Sequence, residues 1–168
     1  MQAVPNLYDY WPYEGRPKIT WPGGKKLAFW IAPNIEYYEF EPPPNPQRQP
    51  WPRGNPDVVG YSQRTWGNTV GHWRMMDLFD KYALRGSISL SIGLVDHHPE
   101  IIEAVNARNW EFFSHGIYNT RFSYGMSPDQ EIAVLKDSID TVERATGKRI
   151  RGYLAPALTH TEHTLDLI

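Results

Sequence analysis

The sequence contains no cysteine, which excludes a disulfide framework and any thiolate metal site. Histidine and carboxylate are then the strong metal ligands left to it, six of one and nineteen of the other. It has no apolar run long enough to cross a bilayer. Its first residues, MQAVPNLYDYWPYEG, lack the basic region and apolar stretch of a secretory signal, so a cytoplasmic protein with no membrane partner is the expectation. Charge of one sign is also missing: the formal net charge is -2, and no basic block is present to neutralise a row of phosphates, which sets a nucleic-acid partner aside. What remains is 168 residues, 40% of them hydrophobic, about one globular domain.

Residues 1–24 are rich in Pro, Tyr, Trp and Gly without sustained periodicity, and read as an extended aromatic arm packed on a neighbour or on its own core. Residues 25–168 form the domain proper. The apolar run over residues 27–32 predicts a buried strand. After it, EPPPNPQRQPWPRGNP, within the Pro-rich loop at residues 41–57, carries too many prolines for helix or central strand and must be a long loop beside that strand's end. From there the pattern alternates. NTVGHWRMMDLFDKYAL shows a helical apolar stripe, RGSISLSIGL a strand, DHHPEIIEAVNARN a helix, and WEFFSH a strand. SPDQEIAVLKDSIDTVERATG is a helix ending at Gly147, RIRGYLAP a fourth strand, and THTEHTLDLI the start of another helix. Strands alternating with helices predict an α/β fold of about four parallel βα units, either part of a barrel or an open doubly wound sheet covered by its own helices. Four such units are about half a (β/α) barrel, whose strand edges and inner face need cover. The expectation is that a second polypeptide, the remainder of a longer product, or a second copy supplies it.

The stretch WEFFSHGIYNTRF poses the chemical question. His115 follows a strand and Asn119 stands four residues on, where a metal hydrolase would usually have a second histidine. Elsewhere GYSQRTWGN carries Arg64 and Trp66, which either wall a small planar ligand or simply pack. His97 and His98 read as capping or exposed residues at a helix start, His160 and His163 lie near the fourth strand's end, and Met75 and Met76 as core filler.

Taken together, LAFWIAPNIE, the long segment from GNTVGHWRMMDLF to FFSHGIYN, and DSIDTVERATGKRIRGYLAPALTH resemble the first half of the polysaccharide deacetylase family. The closer likeness is to its allantoinase-like branch, in which WPGG precedes the first strand. The resemblance runs from about Trp21 to Ile168 and rests on the order of the motifs together. It implies the N-terminal half of a distorted (β/α) barrel that hydrolyses non-peptide C–N bonds: N-acetyl groups on sugars in one branch, which would belong to carbohydrate metabolism, and ureides, cyclic amides or imides in the other. The positions matching the deacetylase branch's base and acidic metal ligand are Asn34 and Glu36; its pair of histidine ligands matches His115 and Asn119; and Arg151 and Pro156 fall in the segment that borders the pocket. A metal, zinc first among the candidates, would be held by Glu36, His115 and Asn119. Asn34 cannot serve as a base at neutral pH, and an amide is a poor zinc ligand. The allantoinase-like branch, by the same resemblance, works without a tightly bound metal.

For hydrolysis the sequence offers Glu36 as base, its pKa raised by partial burial; His115 as proton donor or shuttle; and the Asn119 amide as a donor to the oxyanion. Each has a plainer alternative: a solvated acid entering the proline loop, a histidine bonded to backbone carbonyls, and a turn asparagine. Asn34 binds substrate or caps the strand end, and Arg151 grips a substrate carbonyl or pairs with Asp140. Three functions follow: an amidohydrolase subunit for a small cyclic amide, imide or ureide; a polysaccharide deacetylase with an adapted metal site; or a non-catalytic partner of an intact hydrolase.

Overall fold

The computed structural model describes residues 9–43 and 54–168; residues 1–8 of the arm and 44–53 of the proline loop lie outside the described residues. Three parallel strands, β1 (Asn34–Ile35), β2 (Ser87–Leu90) and β3 (Glu111–Ser114), lie in the order β1-β2-β3. Helices α1 (Val58–Trp66) and α2 (His72–Lys81) connect the first pair, and α3 (Leu94–His97) and α4 (Pro99–Ala107) the second. After β3 come α5 (Pro128–Thr146) and α6 (Thr164–Leu167). Alternation along the strands divides the two faces of the sheet. Ile88, Leu90 and Phe112 point into a core with Met76, Ile101, Val105, Trp110 and Val142. On the other face Trp30 and Phe113, 6.0 Å apart between ring centroids, line a concavity of about 920 Å³ together with Glu111 and Tyr153. Among the described residues no helix is long and apolar enough to cross a membrane.

The best-specified helix is α5. Ser127 and Gln130 form a reciprocal capping box, Pro128 takes the first turn, and Gly147 closes the helix in the left-handed conformation at φ 71°. Ser127→Ala removes the hydroxyl that accepts the Gln130 N–H and should cost about 1 kcal/mol, read as a lower urea midpoint with an unchanged slope.

The structure corrects the sequence reading at three elements. Residues 27–32 are not a buried strand: Leu27, Phe29 and Trp30 are 76%, 81% and 70% exposed. Ser87 and Ser89 do donate to the carbonyls of Ile31 and Pro33. However, a parallel pairing of residue 32 with Ser87 also needs an N–H from residue 33, which is proline, so the ladder begins only at Asn34. The first helix starts at Val58, well before the apolar stripe suggested, because Asp57 caps it by accepting the Gly60 N–H at 2.9 Å. Arg64 and Trp66 are therefore helical residues. A wide turn, with the His72 N–H bonded five residues back to Gly67, joins α1 to α2.

The fourth strand is a single bridge between Ser114 and Tyr153. Ser114 donates to Gly152 and accepts from Leu154, both at 2.9 Å. The next rung would join the Gly116 N–H to the Leu154 carbonyl. That carbonyl is taken by the His115 ring at 2.6 Å, and the Gly116 N–H turns to Ser114 Oγ at 3.2 Å. The side chain that belongs to the site thus ends the ladder, and three strands with one bridge stand where four strands were expected.

Candidate active site

β1 runs out toward the C-terminal end of the sheet, and its alternation continues past Ile35. Ile35 sits in the core while Glu36 and Tyr38 share the other side. β3 ends at Ser114, and Gly116, at φ 67°, turns the chain so that Asn119 returns beside β1, its N–H on the Tyr37 carbonyl at 2.9 Å. These two excursions bring the site together. His115 is 4% exposed. Its Nδ1 donates to the Leu154 carbonyl at 2.6 Å, which leaves Nε2 facing Glu36 Oε1 at 3.3 Å. That contact, with the hydrogen bond at Nδ1, fixes the ring between the Leu154 carbonyl and the carboxylate. The other oxygen, Oε2, accepts from Asn119 Nδ2 at 2.9 Å and from the Tyr38 hydroxyl at 3.0 Å, and the Asn119 amide also donates to the Tyr38 oxygen.

This network sets the sign of the carboxylate's acidity. Half-burial of Glu36 pushes its pKa up, but hydrogen bonds from His115 and Tyr38, with the charges of His115 and Arg64, outweigh it and hold the group below its ordinary value of 4.5. The expectation of a raised pKa is corrected: the carboxylate is ionised at neutral pH, and it is a weaker base than burial alone would make it. The Asn119 role is corrected as well. Both of its amide protons are committed to Glu36 and Tyr38, so it orients the carboxylate and has no donor left for an oxyanion.

Three further residues surround the carboxylate, and the sequence reading passed over them. Tyr38 lies two positions from Glu36, a period-2 signal that was available. Asn68 donates Nδ2 to the Glu36 carbonyl at 3.1 Å, and His72, one helical turn on, lines the same cavity of about 200 Å³ as Glu36. Burial pushes the His72 imidazole below its usual range, partly offset by the Glu36 charge. Of the expected substrate-binding residues, Asn34, Arg64 and Trp66 line this cavity. The Arg64 guanidinium stands 4.7 Å above the Tyr38 ring.

Arg151 and Pro156 do not border it. Arg151 lines the larger concavity beside Lys148 and Arg149 because it enters the bridge segment at the opposite end of the strands, and no ion pair joins it to Asp140 among the described residues. Pro156 is buried against Gly116, beneath the turn that carries His115. His97 is exposed and stacks on Tyr37 at 4.1 Å, and His163 pairs with Glu162; neither they nor His98 and His160 line the cavity.

Beside the site, Glu39 accepts from Arg121 at 2.7 Å and from Thr120 at 2.6 Å. Partial burial raises its pKa, and these bonds outweigh the burial, so that it too titrates below 4.5. A depressed carboxylate pKa adds stability that is present above the unfolded value and lost as pH falls through the folded one. The stability difference between wild type and Glu39→Gln should therefore hold from neutral pH down to about 4.5 and shrink below it, measured by denaturant unfolding at each pH.

The residues do not fit a divalent cation. Among the described residues no group of three or more His, Cys, Asp or Glu is disposed to hold a metal ion. Glu36 has both oxygens hydrogen-bonded, Asn119 turns its NH2 toward that carboxylate, and the charge of Arg64 is already felt there. The ligand atom left without a partner, Asn119 Oδ1, is a neutral amide oxygen.

A family model described as polysaccharide deacetylase matches residues 65–168. No curated protein matches the sequence. Among solved structures, the PuuE allantoinase superposes with a TM-score of 0.76 at 23% identity, covering 98% of this chain and 57% of its own. A Mycobacterium smegmatis protein assigned to the polysaccharide deacetylases gives 0.71 at 24%, covering 89% and 50%. A family pseudoenzyme from Bacillus anthracis gives 0.55 at 19%, covering 61% and 36%. At these identities the likeness establishes the fold, a partial (β/α) barrel, and the chain spans about half the length of the structures it matches. The parallel strands, the site at their C-terminal tips and a family model spanning more than half of the sequence agree: the chain belongs to the polysaccharide deacetylase family.

Proposed function

We propose that the protein hydrolyses a non-peptide C–N bond in a small cyclic amide, imide or ureide, with further polypeptide, from another chain or a second copy, completing the pocket. The observation that carries this reading is the convergence of Glu36 and His115 at 3.3 Å, from the tips of β1 and β3 on either side of β2, beside a cavity of about 200 Å³. Glu36, ionised and oriented by Tyr38 and Asn119, takes a proton from the attacking water. His115, fixed by the Leu154 carbonyl, holds the carboxylate in place through its Nε2 contact. Arg64 supplies positive charge where the carbonyl oxygen becomes an oxyanion. Trp66 and the amide of Asn34 line the cavity and offer a flat face and a hydrogen-bonding group to a compact planar substrate. Similarity to the allantoinase fold supports the same choice. The exposed Leu27, Phe29 and Trp30 support completion by further polypeptide.

The test is a panel of hydantoins, cyclic imides, open ureides and N-acetylated sugar oligomers, assayed with and without added zinc. Turnover of ring amides or ureides independent of zinc is the expected result. Deacetylation of the oligomers with near-stoichiometric zinc in the purified protein would overturn it in favour of a sugar deacetylase. The non-catalytic alternative draws on Asn34 at the expected base position and on a pseudoenzyme among the similar structures.

A further inference from the structure

We propose that His72 is a second catalytic residue of this site, the group that delivers a proton to the leaving nitrogen; the inference rests on the hydrolase reading above. Amide hydrolysis needs such a donor, because an amide anion is too basic to depart unprotonated. The residue first expected to supply it, His115, is fully engaged: one ring nitrogen holds the Leu154 carbonyl, the other holds Glu36, and the side chain does not line the cavity.

His72 differs in each respect. It opens α2, directly after the wide turn over residues 67–71, and that turn sets its ring over the same cavity as Glu36. Turns of this i→i+5 type recur at functional sites, where they re-aim a side chain out of helical register. Asn68, at the other end of the turn, is pinned to the Glu36 carbonyl at 3.1 Å, which fixes the turn against β1. No protein group among the described residues hydrogen-bonds the His72 ring, so both nitrogens are available to substrate and water. Its burial keeps the ring neutral at neutral pH, the form that carries one N–H donor and one acceptor nitrogen.

The proton balance closes with these two groups. Water oxygen bonds to the carbonyl carbon as Glu36 takes one water proton, and the carbonyl π pair moves onto oxygen. The oxyanion then re-forms the carbonyl and expels nitrogen with the C–N bond pair. That nitrogen takes the ring N–H proton of His72, and the proton held by Glu36 replaces it on the other ring nitrogen. The products are an amine, amide or ureido group and a carboxylic acid, with no change of oxidation state.

His72→Gln and His72→Asn, in the assembled protein, should lower kcat by about 10²-fold or more while KM changes little. The loss should grow as the leaving nitrogen becomes more basic, from activated imides to simple lactams, and added imidazole should restore part of the activity of His72→Gly. Glu36→Gln, by contrast, should lower turnover even of the most activated imides, because the attacking water needs its base whatever the leaving group. If both His72 variants stay within about threefold of wild type, or lose the same factor on every leaving group, the donor role is overturned while the hydrolase reading stands. If wild type turns over no ring amide or ureide, both fall.

Discussion

Replacing Glu36 by glutamine should lower the turnover of ring amides or ureides by about 10²- to 10⁴-fold, the range a positioned acid–base group supplies, with the fold unchanged. Glutamine keeps the shape and an acceptor oxygen for the Tyr38 hydroxyl and the Asn119 amide, so the local packing survives. What it removes is the negative charge that His115 and Arg64 surround and the lone pair that takes the water proton. Because the wild-type carboxylate is held below its ordinary pKa, it is already ionised through neutral pH, and raising the pH cannot compensate for its loss. The measurement is kcat and kcat/KM on the assembled protein with a thermal melt as control. Unchanged turnover with an unchanged melt would mean that this chain is scaffold for a reaction carried out elsewhere.

The contrast between Glu36 and its neighbours shows what a sequence can disclose about such a site. Glu36 and His115 were legible because each follows a strand-like segment in a βα alternation, and side chains at those tips converge whatever the loops do. The sign of the Glu36 pKa was not, since it depends on which donors reach the carboxylate. Of the two hydrogen-bonding groups that lower it, Tyr38 is local, but His115 comes from a segment about eighty residues away. Tyr38 was within reach of a period-2 argument. His72 was masked by its setting: it stands in an apolar helical stripe beside Trp73 and Met76, and nothing in that stripe reveals the wide turn that re-aims it. Arg64 and Trp66 were singled out for their chemistry and misplaced in secondary structure, because α1 buries only Gly60 and so gives no apolar period to read. The first strand failed for a different reason. A run such as residues 27–32 reports burial that a folded environment must supply, and Pro33 ends the pairing before the run can join the sheet.

Gly116→Ala should be strongly destabilising for a single added methyl group. Two effects coincide there. The residue sits at φ 67°, a conformation that costs an L-residue about 1–2 kcal/mol. An added Cβ would also stand 2.6 Å from Cγ and 3.0 Å from Cδ of Pro156, a rigid, buried ring that cannot rotate aside. Forcing a methyl into such a contact costs about 1–3 kcal/mol more, for a total of about 3 kcal/mol out of the 5–15 that hold an ordinary domain together. Relief requires the segment around Pro156 to withdraw, and that segment carries the Leu154 carbonyl that fixes the His115 ring. Stability and turnover should therefore fall together. Gly125→Ala is the control: its φ is 78° and no atom lies within 4 Å of the added Cβ, so it carries the backbone strain without the clash. Urea unfolding should place Gly116→Ala well below Gly125→Ala, and the folded fraction of Gly116→Ala should show reduced kcat while Gly125→Ala keeps it. Equal midpoints for the two would mean that Pro156 yields freely, and that the support under His115 is looser than these contacts require.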